Sequence, residues 1–117
     1  MIGSERRSKS RWPIKLDLLY YRTDLNTGGS HRGRTVNVST SGAYFETQVS
    51  TLSRGNLLEI VFDIPPRAGV LEFGGSMAAV ACVVRTDKIS NLSEKGAFRS
   101  RKYGVAVEFC QSPQLCL

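Results

Sequence analysis

The apolar residues of this sequence recur with a period of two, and this pattern limits the possible folds more than any other feature. From Ile14 to Tyr21 alternate residues are apolar, and the same alternation returns from Tyr103 to Phe109. Successive side chains of a β-strand point to opposite sides, so this spacing is typical of strands with one buried face. An amphipathic helix would need an apolar stripe every 3.6 residues, and no convincing stripe of that kind occurs. The chain is therefore predicted to be all-β.

Turn-forming residues divide the chain into short segments. The predicted strands cover residues 14–21, 32–38, 43–47, 57–62, 71–84 and 102–109. Gly74-Gly75 predicts a bend inside the fifth strand. Residues 87–101 are polar and rich in turn formers, so we expect a long loop there. About six or seven short strands at this spacing favour an antiparallel barrel or sandwich, and a closed barrel has the advantage of removing exposed edges.

The positive charge lies near the beginning of the chain. The 117 residues carry a net charge of +6, and residues 1–34 alone hold eight Lys/Arg against three acids. Residues 35–117 contribute only +1. A basic region of this kind indicates an anionic partner: a nucleotide, a nucleic acid or a lipid headgroup. The length fits one domain, which we divide into an arm (1–13), a barrel (14–109) and a tail (110–117).

The rare residue types argue against metal binding and catalysis. The three cysteines show no CxxC spacing, and His31, in a predicted loop, is the single histidine of the chain. A zinc site and a nucleophile–base–acid set are therefore not expected, and we predict neither enzymatic activity nor a cofactor. The basic N-terminus lacks the apolar stretch of a signal peptide, and no segment reaches transmembrane length. The cysteines are then expected to be reduced thiols of a cytoplasmic protein that does not insert into membranes.

The arm from Glu5 to Arg11 carries four cations, Arg6, Arg7, Lys9 and Arg11. No apolar residue interrupts the run, so the segment cannot bury itself and is expected to be flexible. Taken alone, it is compatible with a solvated basic tail and with an anion-binding arm that becomes ordered on its ligand.

A polar turn follows the second predicted strand, in the sequence Asn-Val-Ser-Thr-Ser-Gly at residues 37–42. Asn37 can donate and accept hydrogen bonds, Ser39 offers a hydroxyl, and Gly42 allows a tight turn or a close approach. The same composition is also that of an ordinary turn. The turn is therefore a candidate site only in combination with another motif.

The arm and the turn together resemble the PilZ domain family. Arg7 and Arg11 form an Arg-x-x-x-Arg motif before the first strand, and Asn37, Ser39 and Gly42 form an (Asp/Asn)-x-Ser-x-x-Gly motif after the second. Residues 42–45, 80–85 and 103–109 also resemble strands of that family, so the resemblance spans about residues 5–109. It implies a six-stranded antiparallel β-barrel that binds the bacterial second messenger cyclic di-GMP.

The resemblance also implies residue roles. Arg7 and Arg11 would contact phosphate oxygens and the Hoogsteen edge of guanine, which an arginine fork matches bidentately. Asn37 and Ser39 would hydrogen-bond guanine, and Gly42 would leave room for the base and the turn. The family usually has Asp where this chain has Asn37, which removes a negative charge from the site. An arginine at the position of Arg6 is associated in the family with an intercalated ligand dimer, so we expect two cyclic di-GMP molecules per domain.

Other functions fit parts of the same sequence. A non-catalytic receptor would signal to an effector protein that the sequence does not identify. A PilZ-like adaptor would bind a protein partner without the nucleotide, although it would have no need of the motif residues. A small basic barrel that binds single-stranded nucleic acid would need exposed aromatic residues on a basic face, whereas the aromatic residues here fall mostly at core positions. We therefore expect a nucleotide ligand and no nucleic-acid partner.

Overall fold

The computed structural model describes residues 11–24, 29–49, 51–66, 74–92, 99–111 and 113–116. No helix occurs in these ranges. The strands are β1 Asp17–Arg22, β2 His31–Val38, β3 Gly42–Thr47, β4 Leu57–Ile64, β5 Gly75–Leu92, β6 Arg99–Phe109 and β7 Gln114–Cys116. The prediction of an all-β protein is confirmed.

The first six strands close into a barrel. They are hydrogen-bonded in the order β4-β1-β2-β3-β6-β5, and the additional pairing of β4 with β5 completes the circle. Every pairing is antiparallel. The predicted six-stranded antiparallel β-barrel is therefore confirmed. Because the sheet closes on itself, each of these strands has a hydrogen-bonded neighbour on both sides.

The alternation seen in the sequence separates the inside of the barrel from the outside. In β1, Leu18 and Tyr20 are buried, whereas Leu19 and Tyr21 are exposed. The largest fully buried side chains are Tyr20, Phe45, Leu58, Ile60, Val83, Val105 and Thr35. The tyrosine among them satisfies its buried hydroxyl through a 3.1 Å hydrogen bond with Thr47 Oγ1, as a polar group in a core must.

The predicted long loop at residues 87–101 is wrong for residues 87–92 and 99–101, which belong to strands, while residues 93–98 lie outside the described ranges. β5 is 18 residues long and continues to Leu92, and β6 begins at Arg99. The pairing of β5 with β4 ends at Cys82, but its pairing with β6 continues from Asp87 opposite Gly104 to Leu92 opposite Arg99. Because β6 pairs with β3 as far as Tyr103, residues 89–92 and 99–102 extend beyond the barrel as a two-stranded ribbon. The sequence of this stretch is polar and shows no apolar alternation, which explains why it indicated a loop.

The structure also differs from the sequence prediction at three other boundaries. β1 begins at Asp17 rather than at Ile14. Gly74 lies immediately before β5 with a φ of +78°, so the glycine bend precedes the strand instead of interrupting it, while residues 71–73 lie outside the described ranges. The tail, which showed no periodicity, contains β7, which pairs with Ser76–Ala78 of β5.

Candidate functional site

The segment leading into β1 is fixed against the end of β2. The backbone N–H of Trp12 donates to the Val38 carbonyl at 2.8 Å, and the Val38 N–H donates back to the Trp12 carbonyl at 2.9 Å. Pro13 then turns the chain, since the Ile14 N–H donates to the Trp12 carbonyl at 2.7 Å across it. These bonds place the base of the arm beside the residues that follow β2.

Thr35 holds the next part of the same segment. The pairing of β2 with β3 is irregular between Thr35 and Asn37, and the buried Thr35 side chain turns towards residues 14–16. Its Oγ1 accepts from the Leu16 N–H at 2.7 Å and donates to the Ile14 carbonyl at 2.6 Å. One hydroxyl therefore satisfies a donor and an acceptor that have no strand partner at this irregular point.

The structure brings the two sequence motifs into contact. Arg11 Nη1 donates to Asn37 Oδ1 at 3.1 Å, across a separation of 26 residues in the chain. The contact is exposed, so the other N–H groups of the guanidinium fork remain in reach of a ligand. Arg6 and Arg7, the other predicted arm residues, lie outside the described residues.

Ser39 lies in the predicted turn but directs its hydroxyl into the turn itself. The side chain is buried, and its Oγ accepts from the N–H groups of Ser41 and Gly42, both at 3.2 Å. The Ser39 N–H donates to the Gly42 carbonyl at 2.8 Å. Ser39 therefore fixes the shape of the loop that follows Asn37, in the manner of a serine turn.

Gly42 is required by the packing of β3 against β6. A Cβ atom at this position would lie 2.2 Å from the carbonyl oxygen of Val107, a distance that no side chain tolerates. The Phe109 N–H also donates to the Ser41 carbonyl at 2.8 Å, which holds the turn against β6. The missing side chain thus allows the closing strand to approach the turn.

Two residues beside Asn37 join the site, although the sequence analysis gave them no ligand role. Tyr44 is the cross-strand partner of Asn37, and Arg85 lies over the Tyr44 ring, 5.8 Å from its centroid. Asp87 accepts hydrogen bonds from the Tyr44 hydroxyl at 3.1 Å and from Arg85 Nε at 3.3 Å. Burial and the Asp87 hydrogen bond raise the pKa of Tyr44 above its ordinary value, so the phenol stays neutral. No motif in the sequence points to either residue. Their positions follow from the cross-strand register, and the irregularity in β2 shifts that register in a way that the sequence alone does not reveal.

An apolar cleft of about 420 Å³ lies between the base of the arm and the adjacent end of the barrel. It is lined by residues of the arm base, the turn and the barrel end: Trp12, Ile14, Leu16, Val38, Ser39, Thr40, Phe62, Met77, Phe109 and Pro113. Trp12 is 45% exposed. Movement of the arm would therefore change the surroundings of the only tryptophan in the chain.

The arrangement offers hydrogen bonding and positive charge rather than a metal centre. The described residues contain no group of three or more side chains suited to holding a metal ion. In those ranges there is likewise no helix long and apolar enough to cross a membrane. An exposed guanidinium beside an amide and a tyrosine is suited to a planar, anionic ligand.

Comparison with known proteins gives a family and two similar folds. A family model described as PilZ domain matches residues 5–114. A solved structure described as the PilZ domain with c-di-GMP of YcgR from Escherichia coli aligns with a TM-score of 0.65 at 14% identity, covering 91% of this chain and 79% of that chain. The structure of the Bacillus subtilis inhibitor of motility (MotI/DgrA) aligns with a TM-score of 0.63 at 18% identity. That alignment covers 92% of this chain and 44% of the other, so this chain spans less than half of it. A search of curated proteins finds no match.

Proposed function

This chain belongs to the PilZ domain family, and from that premise we propose that it is a cytoplasmic, non-catalytic receptor for cyclic di-GMP. The ligand binds between the arm and the turn at residues 37–42. The observation that carries the proposal is the 3.1 Å hydrogen bond between Arg11 and Asn37, because it joins the two motifs at one surface. The E. coli structure described with c-di-GMP supports the choice of ligand, although at 14% identity its likeness is one of fold.

The chemistry of the site suits this nucleotide. Cyclic di-GMP presents two phosphodiesters and two guanines. A guanidinium fork forms paired hydrogen bonds with either phosphate oxygens or the O6/N7 edge of guanine, and its flat face stacks on a base. Arg7 and Arg11 supply two such forks, and the amide of Asn37 supplies a donor and an acceptor from the barrel side. The Tyr44 ring next to Asn37 adds a surface for base stacking.

Ser39 and Gly42 contribute to the site mainly through its shape. The Ser39 hydroxyl accepts from two backbone N–H groups and donates to the Gly42 carbonyl at 3.3 Å, so the guanine contact that the resemblance implies would have to replace one of these bonds. Gly42 keeps the turn close to β6. Ligand binding orders the arm against this preformed turn, and the ordered arm changes the surface presented to an effector protein.

Titration calorimetry with cyclic di-GMP tests the proposal. We expect binding by the unmodified protein, loss of binding in Arg11→Ala and weaker binding in Asn37→Ala. Arg54→Ala is the matched control, since Arg54 is an exposed arginine in the turn before β4. The fluorescence of Trp12 gives an independent signal of arm closure. Absence of both heat and thermal stabilisation at saturating nucleotide would falsify the proposal.

The number of ligands is tested in the same titration. Arg6 precedes the Arg-x-x-x-Arg motif, and we propose that it supports two stacked cyclic di-GMP molecules per domain. The expected stoichiometry is two for the unmodified protein and one for Arg6→Leu, which removes the guanidinium and leaves an apolar side chain. A stoichiometry of two in both proteins would show that Arg6 does not set the number.

A further inference from the structure

One side of the barrel contains acidic residues and lacks basic ones, in a protein with 16 Lys/Arg and a net charge of +6. β4 holds Glu59 and Asp63, residues 104–109 of β6 hold Glu108, and residues 75–84 of β5 are uncharged. None of these three segments contains Lys or Arg. The basic residues of the arm and of β2 lie outside these segments, so acidic and basic residues are unevenly distributed over the surface of the barrel.

The outward side chains of this region form one continuous surface, which we call the acidic wall. Its members are Leu19, Leu57, Glu59, Val61, Asp63, Ala78, Val80, Cys82 and Glu108. The strand register places them in cross-strand rows: Leu19 opposite Val61 and Val61 opposite Ala78. The next rows pair Glu59 with Val80 and Leu57 with Cys82. Their neighbours along each strand point into the core, so these side chains face outwards.

The acidic wall exposes large apolar side chains. Leu19 is 44% exposed and Leu57 is 38% exposed, while Val61, Ala78 and Val80 are half-buried. No element in the described ranges packs over them. The carboxylates are interspersed with these apolar side chains, since Glu59 lies between Leu57 and Val61 on β4 and accepts a hydrogen bond from the exposed Tyr21 opposite it. A surface that combines exposed apolar side chains with charges of one sign is suited to a protein-interaction site.

A depression of about 440 Å³ lies at one end of the acidic wall. Its lining includes the apolar side chains of Leu19 and Val61 and the carboxylates of Asp17 and Asp63. Arg32 borders it from β2, and Arg34 Nε is 3.8 Å from Asp17 Oδ1 in an exposed pair that water screens. The depression therefore fits a long basic side chain, with its aliphatic stem on the apolar residues and its cation at the carboxylates.

The charges of the acidic wall decide among the candidate occupants. A two-fold dimer through this surface would bring together two copies of a patch that holds Glu59, Asp63 and Glu108 and no basic residue, and the repulsion opposes association. An anionic lipid surface would be repelled for the same reason. We propose that the acidic wall binds a partner protein through a surface on which apolar side chains alternate with Lys and Arg. The inference extends the proposed function, and rests on it only for the role of the contact in signalling.

The surface is tested with a synthetic amphipathic helix of leucine and lysine, and a leucine–glutamate helix of equal length serves as the matched probe. Each is titrated into ¹⁵N-labelled protein without nucleotide, and amide chemical shifts are followed. We expect the lysine peptide to shift amides of residues 57–63 and 76–84, and the glutamate peptide to leave them unchanged. Equal effects of the two peptides, or shifts concentrated outside the acidic wall, would overturn the proposal.

Two variants with an added lysine sharpen the test. Val61→Lys introduces a cation in the middle of the acidic wall, and Thr86→Lys introduces one at an exposed site of β5 beyond it. We expect Val61→Lys to weaken binding of the lysine peptide about tenfold or more, equivalent to about 1.4 kcal/mol, and Thr86→Lys to leave it unchanged. Equal affinities would contradict the assignment. Both variants are checked by cyclic di-GMP titration, so failure of the acidic wall is distinguished from failure of nucleotide binding.

Discussion

Arg11 and Asn37 are 26 residues apart in the chain, yet the guanidinium of the first donates a hydrogen bond to the side-chain carbonyl of the second at 3.1 Å. The contact depends on the backbone bridge between Trp12 and Val38, which holds the neighbouring residues of both side chains together. The base of the arm is therefore positioned before any ligand arrives. A binding residue that is already in position lowers the entropic cost of binding.

Arg11→Lys tests whether the site uses the shape of the guanidinium or only its charge. Lysine retains the positive charge but cannot form paired hydrogen bonds to phosphate or guanine. We expect the affinity for cyclic di-GMP to fall at least about tenfold, or 1.4 kcal/mol, and Arg54→Lys to have no effect. Affinities are measured by calorimetry. An unchanged affinity in Arg11→Lys would mean that the arm acts as a simple cation.

Thr35→Val tests the anchor of the segment before β1. Valine keeps the shape of the side chain but leaves the Leu16 N–H and the Ile14 carbonyl without their partner. We expect the free energy of unfolding to fall by about 1–3 kcal/mol, measured in urea. Thr86→Val, at an exposed position, is the control. A loss equal to that of the control would show that water replaces the hydroxyl without cost.

Gly42→Ala tests the close approach of β3 and β6. The added methyl group would meet the Val107 carbonyl at 2.2 Å, so one of the strands must shift. We expect a loss of about 1–3 kcal/mol in the free energy of unfolding, as for other overpacked sites. Because Ser39 and Ser41 belong to the same turn, nucleotide affinity should fall as well. Gly29→Ala is the control, since nothing lies within 4 Å of its added Cβ. A stable variant with normal affinity would contradict the packing argument.

Tyr20 should make the protein sensitive to alkaline pH. Burial raises the pKa of its phenol above the ordinary value, an effect that the hydrogen bond with Thr47 only partly offsets. The unfolded chain therefore loses this proton first, and stability falls as pH rises from about 10 through the higher folded pKa. Below that range the contribution is fully present. The free energy of unfolding of Tyr20→Phe, measured in urea, should decline less steeply at alkaline pH than that of the unmodified protein. An identical decline in both proteins would show that Tyr20 does not cause it.

The sequence predicted the barrel where side chains alternate between core and solvent. Leu18 and Tyr20 of β1 and Val105 and Val107 of β6, which it assigned to one face of each strand, are buried in the structure, because the period of two follows from strand geometry. The strand residues 87–92 and 99–101 escaped prediction because this part of the sequence is polar and shows no apolar alternation. β7 escaped it because three residues are too few to show a period.

The candidate site was predictable in part. Its motif residues Arg11 and Asn37 were found through their resemblance to the family's motifs, and the structure places them in contact. The roles of Tyr44 and Arg85 depend on which residues lie opposite each other across three strands, and the bulges at Thr35 and Val83 shift that register. The packing reason for Gly42 is a contact with β6, about 65 residues away in the chain, which no local pattern reveals.

The order of strands in the barrel has a consequence for how fast the protein folds. β1 pairs with β4 and β3 pairs with β6, so two of the pairings that close the circle join distant parts of the chain. Such contacts form only after a long stretch of chain has closed into a loop, which costs entropy before any contact stabilises the fold. All-β barrels of this kind fold in milliseconds to seconds. The β2–β3 hairpin, which contains the turn, is local and can form early. We therefore expect the half-life of the folding reaction to be set by barrel closure.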